Sequence, residues 1–130
     1  MLESMRKNEY ITGESSSRPW GRWAVIATGD GFVIKEISVD PGQVLSLQSH
    51  QHRAEHWVIL AGEAEITVAD KILRRGVNGS VFIPAKTKHR IANVGETTLV
   101  FIEIQTGPIL SESDIERFED RYGRTTADNL

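Results

Sequence analysis

The chain has 130 residues, 39% of them hydrophobic and 25% charged, with a formal net charge of −3. That length supports one hydrophobic core rather than two, and the slight acidity excludes the clustered basic excess of a nucleic-acid surface. There is no cysteine, which excludes disulfides and thiolate ligands and leaves nitrogen and oxygen donors for any metal. Apolar runs such as Val58–Ala61 are too short to span a bilayer. The first ten residues carry Glu3, Arg6, Lys7 and Glu9 and so lack the apolar stretch of a signal peptide. A cytoplasmic protein without nucleic-acid or membrane partners is expected.

In chain order, residues 1–17 are polar and end in Ser15-Ser16-Ser17. They read as a flexible N-terminal arm, with one domain over 18–130. Trp23–Ala27 is a first strand and Phe32–Val39 a second, joined through Asp30-Gly31, a dipeptide that favours tight hairpins. Asp40-Pro41-Gly42 ends the second strand. Val44–Gln48 alternates as a third, and Trp57–Ala61 follows. Glu65–Ala69 and Lys71–Leu73 form a hairpin about Asp70, and Ser80–Ile83 is a short strand closed by Pro84. His89–Asn93 and Thr97–Gln105 complete the series. Short β segments with turns every eight to twelve residues predict an all-β sandwich or barrel. The tail predicts a short C-terminal helix. Ser111 is its N-cap, Glu112 and Asp114 fall in its first turn, Ile115, Phe118 and Tyr122 share one face, and Gly123 ends it.

The histidines fall in two places. His50, His52 and His56 lie within seven residues together with Glu55, and His89 stands alone after Pro84. Alternation along a strand puts Gln48 and His50 on the same face. Glu55 opens the next strand and can sit beside them, and His89 can reach them from a distant strand as the barrel closes. Two imidazoles, a carboxylate and an amide oxygen suit Zn²⁺, Mn²⁺, Fe²⁺, Ni²⁺ or Co²⁺, with positions left open for substrate or water.

Gly42, Gln48, His50, Glu55 and Gly62, at these spacings, resemble the first motif of the cupins, with Gln48 where most have a histidine. Pro84, His89 and Asn93 resemble the second, with Asn78 and Lys86 at positions where glycine is usual. The implied fold is a double-stranded β-helix, or jelly-roll barrel. The likeness extends to a narrower family. Arg18-Pro-Trp-Gly, the run from Pro41 to Trp57, Phe82-Ile-Pro and the stretch Arg117–Arg124 are similar to type II phosphomannose isomerase. In that family this barrel is usually the C-terminal part of a bifunctional guanylyltransferase/isomerase. The resemblance implies a metal-dependent interconversion of mannose 6-phosphate and fructose 6-phosphate in polysaccharide synthesis, with Gln48, His50, Glu55 and His89 as ligands. Glu36 is a departure, since a second basic residue is expected after Lys35. No Gly-rich, basic nucleotide-binding segment is present, so nucleotidyl transfer is not expected.

Aldose–ketose isomerisation needs an electrophile on two oxygens and a base near the migrating proton. His52 is one candidate for the base, or for replacing Gln48 as a ligand. Arg53 and Lys35 are candidates for contact with the reacting sugar, and Lys88 and Arg90 for its phosphate. His56 is expected to pack or to orient a ligand from behind, and Trp20, Trp23 and Trp57 to lie in the core. Two other readings are a non-catalytic sugar-phosphate or metal-binding module with a regulatory role, and an iron-dependent dioxygenase, which would want a more apolar pocket. Edge-strand pairing, with the arm across a partner, predicts a homodimer.

Overall fold

A computed structural model describes residues 6–124. Thirteen strands and no helix are found among them: β1 (Lys7–Asn8), β2 (Ser15–Arg18), β3 (Gly21–Gly29), β4 (Phe32–Val39), β5 (Leu47–Ser49), β6 (Ala54–Ala61), β7 (Ala64–Val68), β8 (Lys71–Arg75), β9 (Ser80–Ile83), β10 (His89–Asn93), β11 (Leu99–Thr106), β12 (Ile109–Leu110) and β13 (Glu116–Glu119). They form a six-stranded sheet, ordered β2-β3-β4-β11-β6-β9, and a five-stranded sheet, ordered β13-β5-β10-β7-β8, with β1 and β12 as a separate parallel pair. This is the expected all-β jelly-roll barrel.

Period-two alternation decides what lines the interior. On β4 the inward set is Val33, Lys35, Ile37 and Val39, and on β11 it is Leu99, Phe101, Glu103 and Gln105. β11 therefore runs from an apolar end, Leu99 and Phe101, to a polar one, Glu103 and Gln105, and β4 adds Lys35 to the polar end between Val33 and Ile37. Register joins Lys35 of β4, Glu103 of β11 and Trp57 of β6 in one row, and Val33, Gln105 and Glu55 in the next. Ile59, Ile66, Ile91, Leu99 and Phe101, all nearly inaccessible to solvent, fill the apolar end, and Ile83, equally buried, stands opposite Glu55 in the β6–β9 register. Burial of each contributes on the order of 1.5–3 kcal/mol.

Two turns bear directly on the sequence motifs. Asn78 and Lys86, at the positions where glycine was expected, have φ of 72° and 64°. The left-handed conformation that favours glycine is thus retained although the side chain has changed.

Three expectations are corrected. The C-terminal helix is absent: Glu116–Glu119 is a strand paired antiparallel with β5. The capping signals are real but local. The Ser111 hydroxyl accepts the Ser113 N–H and the Ser111 carbonyl that of Asp114, while Gly123 N–H donates to Asp120, each closing a single turn. A helix this short is marginal by itself, and pairing with β5 satisfies the backbone instead. Tyr122 still packs on the core. The segment 1–17, read as an arm, is tied to the barrel over its described part. β1 pairs with β12, β2 pairs with β3, and Tyr10 is buried among the core aromatics. The third strand is shorter than Val44–Gln48 and shifted, since Val44 makes only an isolated bridge to Ala92.

A candidate metal centre in the polar end of the barrel

His50, Glu55 and His89 converge at the polar end, all three buried, with candidate ligand atoms within 4.8 Å of one another. Glu55 comes from β6, His50 from the loop after β5, and His89 from the start of β10. The Nε2 atoms of His50 and His89 lie 3.2 and 3.8 Å from the two Glu55 oxygens. Each Nδ1 is hydrogen-bonded to a main-chain carbonyl, that of Asp114 at 2.7 Å for His50 and that of Thr87 at 2.9 Å for His89. A carbonyl only accepts, so both protons sit on Nδ1 and both Nε2 lone pairs face a carboxylate. The Arg53 guanidinium bridges one of these pairs, its Nη2 3.3 Å from His50 Nε2 and its Nε on Glu55 Oε2, while the His89 Nε2 lone pair still faces Glu55 Oε1, an arrangement that a cation between them relieves. The donor set therefore fits a divalent ion of the Zn²⁺, Mn²⁺, Fe²⁺, Ni²⁺ or Co²⁺ type.

The electrostatics agree. Burial, with the Arg53 charge beside it, overcomes the attraction of Glu55 and lowers His50 to about 4, so its ring is neutral at pH 7. Burial works against ionisation of Glu55, but the Arg53 charge beside it outweighs it and holds the carboxyl well below its ordinary range. Arg53 Nε donates to Glu55 Oε2 at 2.8 Å, and Trp57 Nε1 donates to Oε1 at 3.0 Å, so both oxygens are oriented from behind. Glu103 accepts from Trp57 Nε1 at 3.3 Å and from Gln105 Nε2 at 2.8 Å. Burial, with the Glu55 charge added, pushes it up to about 8.

A cavity lies beside this centre, with Glu55 in its wall. Six cationic side chains line it, Arg18, Lys35, Arg53, Arg90, Arg117 and Arg124, against three acidic ones, Glu55, Glu103 and Glu112. Glu112 is bonded to the Tyr10 hydroxyl and accepts from Lys35 Nζ at 2.8 Å. Burial works against the Glu112 charge, but Lys35 and these bonds outweigh it and hold the carboxyl at about 2. Arg117 is lowered from its ordinary value by burial and by the neighbouring Arg124 charge, the mark of crowded cations. The walls are aromatic. Lys35 Nζ lies 4.2 Å from the centre of the Trp23 ring and 4.4 Å from that of Tyr10.

The model of the family described as "Mannose-6-phosphate isomerase C-terminal" matches residues 5–120. The chain belongs to that family. The chain is 45% identical over 124 residues to the xanthan biosynthesis protein XanB of Xanthomonas campestris pv. campestris, covering 95% of this chain and 27% of that protein. It is 49% identical over 124 residues to the alginate biosynthesis protein AlgA of Pseudomonas aeruginosa, covering 95% and 26%. With the mannose-1-phosphate guanylyltransferase ManC of Salmonella typhimurium it shares 46% over 118 residues, covering 91% and 25%. The chain thus spans about a quarter of the length of these relatives. Among solved structures, the capsular polysaccharide assembling protein CapF of Staphylococcus aureus superposes with a TM-score of 0.69 at 21% identity, over 82% of this chain and 34% of that one. A Bacillus subtilis oxalate decarboxylase gives 0.70 at 18%, over 81% and 30%. A Schizosaccharomyces pombe cupin domain gives 0.64 at 18%, over 66% and 64%. At these identities the likeness is one of fold, and the fold is the cupin.

Within this isomerase-family domain the expected site residues divide clearly. His50, Glu55 and His89 are brought together. Gln48 lies opposite His89 in the β5–β10 register, on the same face, and lines the cavity. Arg53 and Lys35 are buried at the centre and in the cavity wall. Arg90 lines the cavity, with its Nε donating to the Leu45 carbonyl. Lys88 is not brought in: one residue from the inward His89, it points outward, with Nζ 4.1 Å from the centre of the Phe118 ring. His52 is exposed in its turn, and only its backbone N–H is engaged, on Asp114. His56 stacks on Phe82 on the outer face of β6, with ring centres 4.6 Å apart. The three tryptophans are buried as expected. Sequence reasoning gave no role to Glu103, Glu112, Arg18, Arg117 or Arg124. For Glu103 a signal exists: it occupies an inward phase of β11 otherwise held by Leu99 and Phe101. A charged residue at an apolar phase marks a polar interior.

Proposed function

We propose that this domain is a metal-dependent aldose–ketose isomerase that interconverts mannose 6-phosphate and fructose 6-phosphate. The observation that carries the reading is the pairing of a His50–Glu55–His89 centre with a cavity whose cationic side chains outnumber its acidic ones by six to three. His50, Glu55 and His89 would hold the ion, with Gln48 as a fourth donor. A bound divalent ion would supply Lewis-acid polarisation of the oxygens on C1 and C2. The protein supplies the rest. Arg18, Arg117 and Arg124 offer planar, multi-donor contacts to a phosphate. This charged lining is unlike the apolar pocket expected of a dioxygenase. The indole N–H of Trp23, buried without a partner among the described residues, is a spare donor for a sugar hydroxyl. Glu103 lines the same cavity and would be the carboxyl that carries the proton between C1 and C2.

A homodimer is part of this reading. β2 lies at an open edge of the six-stranded sheet and belongs to the segment expected to meet a partner. A monomeric mass by light scattering would remove that element.

The deciding experiment is a coupled assay for fructose 6-phosphate formed from mannose 6-phosphate. Metal-stripped protein is resupplied with Mn²⁺, Co²⁺, Zn²⁺, Ni²⁺ or Fe²⁺, beside a His50→Ala/His89→Ala control. Metal-dependent turnover lost in the control supports the isomerase. Folded, metal-loaded protein without turnover supports the binding module.

A further inference from the structure

His50 and His89 present the same tautomer by different means. The His89 Nδ1–H bonds to the carbonyl of Thr87, two residues back in its own chain segment. The His50 Nδ1–H bonds at 2.7 Å to the carbonyl of Asp114, 64 residues away. Asp114 does more than offer that carbonyl. Its side-chain oxygens accept the backbone N–H of Gln51 at 2.9 Å and of His52 at 3.0 Å. One residue therefore grips the His50 ring with its main chain and the two following peptides with its carboxylate. From the other side, the N–H of Lys86 donates to the His50 carbonyl at 2.7 Å. The loop carrying His50 is thus pinned by two segments distant in sequence.

We infer that Asp114 is the positioning residue of the metal centre, fixing the tautomer of His50 and the direction of its Nε2 through the turn between β12 and β13. This rests on the metal reading proposed above. Hydrogen bonds from backbone N–H groups to a carboxylate are charge-assisted and stronger than neutral ones. Their loss leaves the loop free to swing the carbonyl off the ring and lets the proton redistribute between Nδ1 and Nε2. A protonated Nε2 cannot bind an ion.

Asp114→Ala removes the two carboxylate bonds and keeps the carbonyl. Asp114→Asn keeps a neutral acceptor oxygen. Two measurements apply to the full chain: Co²⁺ affinity with the visible Co²⁺ spectrum, and imidazole ¹⁵N NMR of the metal-free protein. The expected result is an affinity loss of about 10–100-fold in Asp114→Ala, a smaller loss in Asp114→Asn, an altered Co²⁺ spectrum, and a His50 that is Nδ1-protonated in the wild type but mixed in Asp114→Ala. Unchanged Co²⁺ affinity and spectrum in Asp114→Ala overturns the inference, and so does that result accompanied by a lowered melting temperature, which would mark a purely structural role. A His50 protonated at Nε2 in the metal-free wild type overturns it as well. Wild-type protein that binds no Co²⁺ defeats the metal reading itself, and with it the role of Asp114 toward an ion. Co²⁺ binding without isomerase turnover leaves the inference standing and defeats only the choice of reaction.

Discussion

Replacing Arg53 by methionine tests whether a cation belongs at the centre. Arg53 is buried and its Nε lies 2.8 Å from a Glu55 oxygen in an environment nearly closed to solvent. With an effective dielectric near 20, an ion pair at that distance attracts by about 6 kcal/mol, before the cost of taking both charges out of water. Removing one partner of a buried pair typically costs about 3–5 kcal/mol, because the remaining charge is stranded. The stranded charge here is Glu55. In a chain of this size each kcal/mol lowers Tm by roughly 3–5 °C, so metal-free Arg53→Met is expected to melt about 10–20 °C below the wild type. A divalent ion bound by Glu55, His50 and His89 would compensate the same charge. The loss should therefore shrink to less than half when both proteins are saturated with Zn²⁺ or Co²⁺. Thermal and urea unfolding with and without metal measure both differences. Equal destabilisation in the two states would refute the argument, since it would mean that Glu55 is not the group the ion neutralises.

Glu103→Gln is expected to lower isomerase turnover by about 10²–10⁴-fold while leaving Co²⁺ affinity within a few-fold, measured by the coupled assay and by metal titration. Glu112 has a folded pKa of about 2, below the ordinary carboxylate value of 4.5. Its contribution to stability is therefore full above about pH 4.5 and lost as pH falls toward 2. Glu112→Gln should flatten the acid limb of a Tm-against-pH curve in that window, and an unchanged limb would contradict the Lys35–Glu112 pairing. Lys86→Gly places glycine at a φ of 64° and should stabilise by up to about 1 kcal/mol in urea unfolding, since the left-handed conformation costs a side-chain-bearing residue about that much. A loss of stability there would show that the Lys86 side chain contributes more than its backbone strain costs.

The strands were legible wherever the pattern was strong. Phe32–Val39, Ser80–Ile83 and His89–Asn93 fall where alternation and turn residues put them. The clustering of His50, Glu55 and His89 was legible because three donor residues at motif spacing leave few other arrangements. The tail misled because Ser111, Asp114 and Gly123 carry the chemistry of single turns, which is also the chemistry of helix ends. Only pairing with β5, a long-range event, decides between them. Of the two cations expected at a phosphate, only Arg90 lines the cavity. Arg90 and Lys88 flank His89 in sequence, but both lie off its inward phase. Arg90 is long enough to reach the cavity through its bond to Leu45, whereas Lys88 settles on Phe118. The arginines that crowd the cavity come from opposite ends of the chain, at 18, 117 and 124. No local pattern can bring those together.

That convergence of chain ends sets the order in which the molecule is completed. Tyr10 meets Glu112 across 102 residues, and His50 meets Asp114 across 64. The β3–β4 and β7–β8 hairpins close over a few residues and form early. Contacts of the longest span carry the largest loop-closure cost and become favourable only once the barrel is in place. As the chain emerges during synthesis, the His50 ring can be fixed only after residue 114 has arrived.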